Sequence, residues 1–161
     1  NCYLNSTTKK VASITAQKRT KSSLESGFSF KNCIVTGSGQ VYLGRAWGDY
    51  SRVVFSYTYM DNIVLPKGWS DWGDQKRDSL VQYCTTLGIL RFLYTNYATK
   101  GDFVFNWFVC FRRVYYGEYR CSGPGANLAG RVPWARVLTD EEAKPLIGMQ
   151  FIEGDTWLVS P

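Results

Sequence analysis

The sequence predicts an all-β chain wound as a parallel β-helix, a ribbon of short strands stacked coil upon coil. Three observations support this. Aromatic residues make up 16% of the 161 residues and glycine supplies 15 more, a composition that favours strands joined by tight turns over packed helices. Residues 28–35, FSFKNCIV, are echoed 29 residues later by YTYMDNIV, with aromatic, hydroxyl and aromatic positions followed by a shared Ile-Val. NCYL at 1–4 resembles NCIV at 32–35, at an offset of 31. Units of this length built from short strands read as solenoid coils that bury a shared core between neighbours. An ordinary β-sandwich with two chance matches is the competing reading. Either way the length suits one domain, burying roughly two thirds of its unfolded surface.

Taken in order, VASITAQ (11–17), GFSFKNCIV (27–35), QVYLGRAW (40–47) and RVVFSYTYM (52–60) read as half-buried strands separated by Gly, Ser, Asn and Lys. After PKGWSDWGDQKRD the character changes. Residues 80–113 form an atypical apolar insertion with one acidic residue, Asp102, and no proline. Arg91, Lys100 and Asp102 interrupt it, and no apolar run approaches the roughly 20 residues a bilayer span needs, so no membrane is expected as a partner. VYYGEYRCSGPGANLAGRVPW returns to aromatic strands and Gly/Pro turns. Thr139 and Glu142 then form a capping box for a short C-terminal helix that Pro145 limits or kinks.

The net charge of +6 suits a polyanionic partner, whether nucleic acid, an anionic surface or an acidic polysaccharide. Much of the excess lies between residues 9 and 21, in KK and AQKRTK, where a solvated turn face is the plain reading. No nucleic-acid-binding signature accompanies it, so no nucleic acid is expected as a partner. The chain has no histidine, which excludes Ser-His-Asp and Cys-His catalysis and histidine-ligated metals. Hydrolysis would have to rest on carboxylates, amides or arginine, and neither a metal nor a cofactor is expected. Cys2, Cys33, Cys84, Cys110 and Cys121 show no C-x-x-C spacing, and their odd number leaves at least one thiol unpaired. Asn5 opens an N-glycosylation sequon that matters only in a secreted chain. No signal peptide is visible, and a start at NCYLN without Met leads to the expectation that an N-terminal portion is missing.

Within VYLGRAW, period-two alternation sends Arg45 and Trp47 to one face and Gly44 and Ala46 to the other. An indole face is a platform for a sugar ring, and a guanidinium fork binds a carboxylate through two hydrogen bonds, so the pair suits an acidic sugar or a catalytic carboxylate. A surface cation–π pair explains the same residues equally well. The residues alone leave both readings open.

VYLGRAW followed by YSRVVF resembles the LGRPW segment of plant pectinesterases, the pectin methylesterases of the cell wall. SITAQKR, GFSFKNCIV, LPKGWSDW, YYGEYRCSGPGA, RVPWARVLTDEEA and FIEGDTWL occur in the order of that family, covering about residues 1–78 and 114–161. The resemblance implies a right-handed, single-stranded, pectin lyase-like β-helix, incomplete at its N-terminus. It also implies a secreted, extracellular plant cell wall hydrolase acting on methyl-esterified homogalacturonan, with pectin as substrate partner and a proteinaceous pectinesterase inhibitor as a second partner. An aspartate nucleophile, an aspartate acid/base and an oxyanion-stabilising glutamine would carry the reaction. By the same match Arg45 holds the nucleophilic carboxylate and contacts substrate, and Trp47 lines the sugar subsite; Ala46 stands where many relatives have proline.

The family's glutamine and both aspartates lie upstream of the first residue here, so no catalytic residue is assigned in this chain. Residues 1–161 are expected to be a partial catalytic domain, inactive and poorly soluble alone. Asp49, Asp61, Asp71, Asp74 and Asp78 are read as surface carboxylates, and Gln17 as structural. Relatives pass almost directly across the position where about 34 residues intervene, which leads to the reading of 80–113 as a retained intron. Cys2 and Cys33 fall at equivalent places in successive coils, with their pairing left open. A non-catalytic β-helix that binds acidic polysaccharide is the alternative function, and a basic nucleic-acid binder a third.

Overall fold

In the computed structural model, residues 1–71, 73 and 114–152 are described. Eight strands run in chain order: β1 (Tyr3–Thr15), β2 (Phe28–Lys31), β3 (Ile34–Arg45), β4 (Arg52–Ser56), β5 (Tyr59–Met60), β6 (Trp69–Ser70), β7 (Tyr115–Tyr119) and β8 (Arg136–Val137). They form two sheets, one ordered β1-β3-β5 with β6 also on β3, the other β2-β4-β7-β8. Every named pairing among the described residues is parallel. From β1 to β5, and again from β6 to β7, strands that follow one another switch sheets, and parallel pairing joins strands of neighbouring coils. That is the parallel β-helix of stacked coils.

The corners between sheets explain why four predicted strands became more. GFSFKNCIV is split after Lys31 and RVVFSYTYM after Ser56, because Asn32 (φ 52°) and Tyr57 (φ 50°) adopt the left-handed conformation; Arg120 (φ 48°) follows β7 in the same way. One such residue turns the chain sharply enough to start a new face. The corners stack, Asn32 N–H donating to Ser56 O at 3.0 Å and Tyr57 N–H to Tyr119 O at 2.9 Å. The first strand also exceeds its predicted extent, running from Tyr3 rather than Val11 and ending at Thr15.

Register corrects half of the repeat argument. Tyr3 pairs with Ile34 and Leu4 with Val35, the alignment that NCYL and NCIV predict. Phe28, however, pairs with Val53 and Phe30 with Phe55, not with the YTYM segment that matched by pattern. The physical reason is the loop over 46–51, which is shorter than the one over 16–27. Coil lengths therefore differ, and burial and ring stacking set the alignment.

Inside the coils, Val35, Val41, Leu43, Val53, Phe55, Met60, Trp69 and Tyr116 are buried in one cluster. Aromatic rings run through it as a chain of contacts: Phe30 on Phe55 (4.6 Å between centroids, stacked), Phe55 to Trp69 (5.9 Å), Trp69 on Tyr116 (4.6 Å, stacked) and Tyr116 to Trp134 (5.8 Å). Such contacts add about 0.5–1.5 kcal/mol per pair beyond burial.

β4 loses its alternation, with Val53, Val54 and Phe55 all buried, because both of its faces are covered. The outer cover is α1 (Asp140–Ile147), whose Ala143 and Leu146 pack with Val54, Tyr119 and Leu138. Its predicted capping box is present: Glu142 N–H donates to Thr139 Oγ1 and Thr139 N–H to Glu142 Oε2. Pro145 lies inside the helix, which ends two residues later, where Ser29 Oγ and Lys31 Nζ donate to the carbonyls of Leu146 and Ile147.

Among the described residues one carboxylate stands in the interior. Register aligns Glu118 of β7 with Phe55, and its side chain is 3% exposed against 6% for its partner Arg131. Arg131 Nε donates to Oε1 at 2.8 Å and Nη2 to Oε2 at 3.0 Å, while Trp69 Nε1 donates to Oε1 at 3.0 Å. The remaining Arg131 donors reach Gly125 O at 2.6 Å and Pro66 O at 3.0 Å. Gly68 (φ +68°) leaves room for this side chain, since a Cβ there would lie 2.5 Å from Arg131 Cδ. The apolar insertion at 80–113, with Cys84 and Cys110, lies outside the described residues, as do Asp74 and Asp78.

Removing one partner of a buried ion pair strands the other charge, so Arg131→Met should lower unfolding free energy by about 3–5 kcal/mol. Urea denaturation checks this, and a loss below about 1 kcal/mol would contradict it. Cysteine reactivity offers a second check. Cys2 is exposed, whereas burial raises the Cys33 thiol above its ordinary value and pushes that of Cys121 up to about 11. The thiolate is the nucleophile, so maleimide at mildly alkaline pH should label Cys2 about tenfold faster than Cys33 or Cys121, with Cys121 labelling still rising towards its own pKa. Peptide mass mapping reads the order; equal rates would refute it.

Candidate functional site

The end of β3 carries the predicted pair. Gly44 pairs with Thr15 on one side and Trp69 on the other, and Arg45 pairs with Ser70. Ala46 N–H donates to Ser70 O at 3.2 Å, fixing the chain just beyond the strand. Strict alternation breaks at Leu43 and Gly44, both buried, and resumes with Ala46 1% exposed and turned into the core. Arg45 is half-buried, and Trp47 is 55% exposed. The two side chains thus flank an inward-turned alanine on the outside of the coil.

The chain that follows Trp47 is zipped to residues 17–19. Gly48 N–H donates to Gln17 O at 3.3 Å, Tyr50 N–H to Arg19 O at 3.0 Å, and Ser51 Oγ–H to Gln17 O. Gly48 is required by this approach, since a Cβ would fall 2.4 Å from Arg19 O. Gln17 and Arg19 are themselves buried. Gln17 Oε1 accepts from the backbone N–H of Arg19 at 3.1 Å and of Arg52 at 3.2 Å, so its amide organises loop backbone. Arg19 donates to the carbonyls of Ser22 (2.6 Å), Leu24 and Tyr50 (3.4 Å), which ties down the loop over 16–27. Burial, and then the nearby Arg52 charge, hold the Arg19 guanidinium below its ordinary pKa, with Glu25 opposing.

Lys18 lies between these two anchors and is exposed. Its Nζ sits 4.9 Å from the centroid of the Trp47 ring. The sequence groups Lys18 with a solvated charge run and carries no signal that connects it with Trp47, because the fold alone brings the two loops together.

Several described carboxylates have structural partners. Asp61 accepts from Thr36 Oγ1 at 3.0 Å and from Asn62 N–H, Asp71 from Gly73 N–H at 2.9 Å, and Asp140 from Tyr119 Oη and Arg120. Asp49 is exposed on the turn after Trp47. Asn5 is exposed on β1, where it pairs with Thr36, and the following Ser6 Oγ donates to Ser38 O at 2.9 Å. Cys2 and Cys33, both free thiols, precede the Tyr3–Ile34 pair and so stand in neighbouring coils at the same level.

The family described as Pectinesterase matches residues 2–86. Pectinesterase QRT1 of Arabidopsis thaliana is 39% identical over 158 residues, covering 98% of this chain and 33% of that protein. A second Arabidopsis thaliana relative, whose name joins pectinesterase and pectinesterase inhibitor, is 35% identical over 150 residues, 91% of this chain and 22% of that protein. The solved structure of pectin methylesterase from carrot superposes with a TM-score of 0.66 at 25% identity, covering 93% of this chain and 40% of that one. The chain spans about a third of the length of the relatives it matches. A family match across more than half of the residues, on coils stacked as in the carrot structure, establishes that this chain belongs to the pectinesterase family.

Proposed function

We propose that the chain forms part of a carboxylic ester hydrolase that removes methyl esters from homogalacturonan in the plant cell wall, with Arg45 and Trp47 on its substrate-facing wall. The observation that carries this reading is the arrangement around Ala46, which packs into the core and leaves a 55% exposed indole and an adjacent guanidinium at the end of β3. A uronate polymer offers both the flat ring that stacks on an indole and the carboxylate that a guanidinium binds, and a net charge of +6 attracts it. In this reading Arg45 also steadies the nucleophilic carboxylate, secretion makes Asn5 a glycosylation site, and a proteinaceous pectinesterase inhibitor is a second partner.

No residue of this chain is assigned as nucleophile or acid/base. Glu118, the most buried described carboxylate, is held by Arg131 and Trp69, and Asp61, Asp71 and Asp140 are engaged in turns and at the helix start. In this reading the 161 residues alone bind without turnover, and residues 80–113 are a retained intron. A non-catalytic acidic-polysaccharide-binding β-helix is the second reading, favoured by the same commitment of the carboxylates.

Two measurements test this. The chain should release no methanol from methylated pectin, and its retention on immobilised polygalacturonate should weaken about tenfold on Arg45→Ala or Trp47→Ala, since each removes a charged or stacking contact. Methanol release by the chain alone would overturn the assignment of no catalytic residue. Retention unchanged in both variants would remove Arg45 and Trp47 from the binding wall.

A further inference from the structure

The position of Lys18 carries more than the proposed activity uses. Its backbone is clamped on both sides: Gln17 O accepts from Gly48 N–H and Ser51 Oγ, and Arg19 O accepts from Tyr50 N–H. These bonds join it to the chain immediately after Trp47, so the base of the lysine and the indole are fixed relative to each other. The buried side chains of Gln17 and Arg19 stiffen the same turn. At the end of its flexible stem the ammonium rests 4.9 Å from the Trp47 ring centroid. Among the described residues Lys18 forms no ion pair; the salt bridges of this loop run from Arg19 and Arg52 to Glu25. Its charge is therefore balanced by a ring face and by water, a weak and exchangeable contact at an exposed site.

Resting on the reading of this wall as a uronate-binding surface, we infer that Lys18 is a specificity-determining residue that binds the free carboxylate of a uronate lying on Trp47. The wall then prefers de-esterified sugar over its methyl ester. A carboxylate turns the ammonium from an obstacle on the ring into a charge-assisted hydrogen-bond donor. A methyl ester carries no charge, gains no such bond, and must still displace the cation to stack.

The test compares affinity of the whole chain for polygalacturonate and for fully methyl-esterified homogalacturonan at low salt. The chain should bind the acid form about three- to tenfold more tightly, the range for an exposed charge pair reinforced by a hydrogen bond. Lys18→Gln should reduce that preference about threefold by weakening only the acid form, Lys18→Arg should restore it, and raised ionic strength should diminish it in the parent chain. Circular dichroism confirms that the variants fold. Equal weakening of both polymers by Lys18→Gln, or no change in either, overturns the role of Lys18 and leaves the wall standing. Binding of neither polymer by the parent chain overturns the wall itself, and the role of Lys18 with it.

Discussion

The Glu118 carboxylate, enclosed among aromatic rings and met there by Arg131 and Trp69, is the constraint on which the second half of the structure depends. Register aligns Glu118 with Phe55 and thereby with Phe30, a level of the stack otherwise occupied by rings. An unpaired charge there would be prohibitive, and a well-packed apolar residue would hold the coils together at least as well. What the ion pair adds is specification. Its geometry is met only when β7, the Pro66–Trp69 turn and the 124–131 segment occupy one mutual arrangement, because the Arg131 fork also needs the carbonyls of Gly125 and Pro66. The motifs LPKGW, YYGEY, SGPGA and RVPW, distant in sequence, meet in this one network.

The constraint reaches the outer wall through a short path. Trp69 of β6, oriented by Glu118, is paired with Gly44 of β3, and the next residue, Ser70, is paired with Arg45 and accepts from Ala46 N–H. The strand end that presents Arg45 and Trp47 is thus registered by the buried pair on one side. On the other side it is registered by Thr15, whose Oγ1 donates to Leu43 O at 3.0 Å, and by the Gln17–Arg19 turn. Both supports consist of buried polar groups with their donors and acceptors engaged, the condition under which such groups rigidify rather than destabilise.

Much of the stacked-coil architecture was legible because aromatic and hydroxyl alternation survives even where coils differ in length. The 31-residue offset of NCYL and NCIV is a true register, whereas the FSFKNCIV match is a likeness of pattern between segments that do not pair. Pattern reports which residues alternate, and loop length decides which partner each one meets. The corners at Asn32, Tyr57 and Arg120 were hidden for a related reason: only asparagine among them has an intrinsic liking for the left-handed region. At the site, Arg45 and Trp47 were legible from a strand end, where the period is local. Glu118 and Lys18 were not, because each is defined by a partner in another coil or loop. Period two in YYGEY puts Glu118 on the face of Tyr116, a signal that went unread: a carboxylate on a buried face demands a donor from elsewhere.

Formal charge is a poor guide to which cations act on the outside. Arg131 and Arg19 count equally in the total of +6, yet the first spends its donors on Glu118 and two carbonyls, and the second donates to Ser22, Leu24 and Tyr50. Both are structural rivets, and their positive charge is screened from solvent by the atoms they bind. Lys18 is different in kind: its backbone is held by the same turn that buries Arg19, but its ammonium meets a π-face and, among the described residues, forms no ion pair. Rigidity at the base and weak attachment at the tip allow a side chain to exchange a ring for an anion without reorganising the fold. That combination follows from the burial of Gln17 and Arg19, so the polar interior of this loop and the chemistry of the outer wall have one origin.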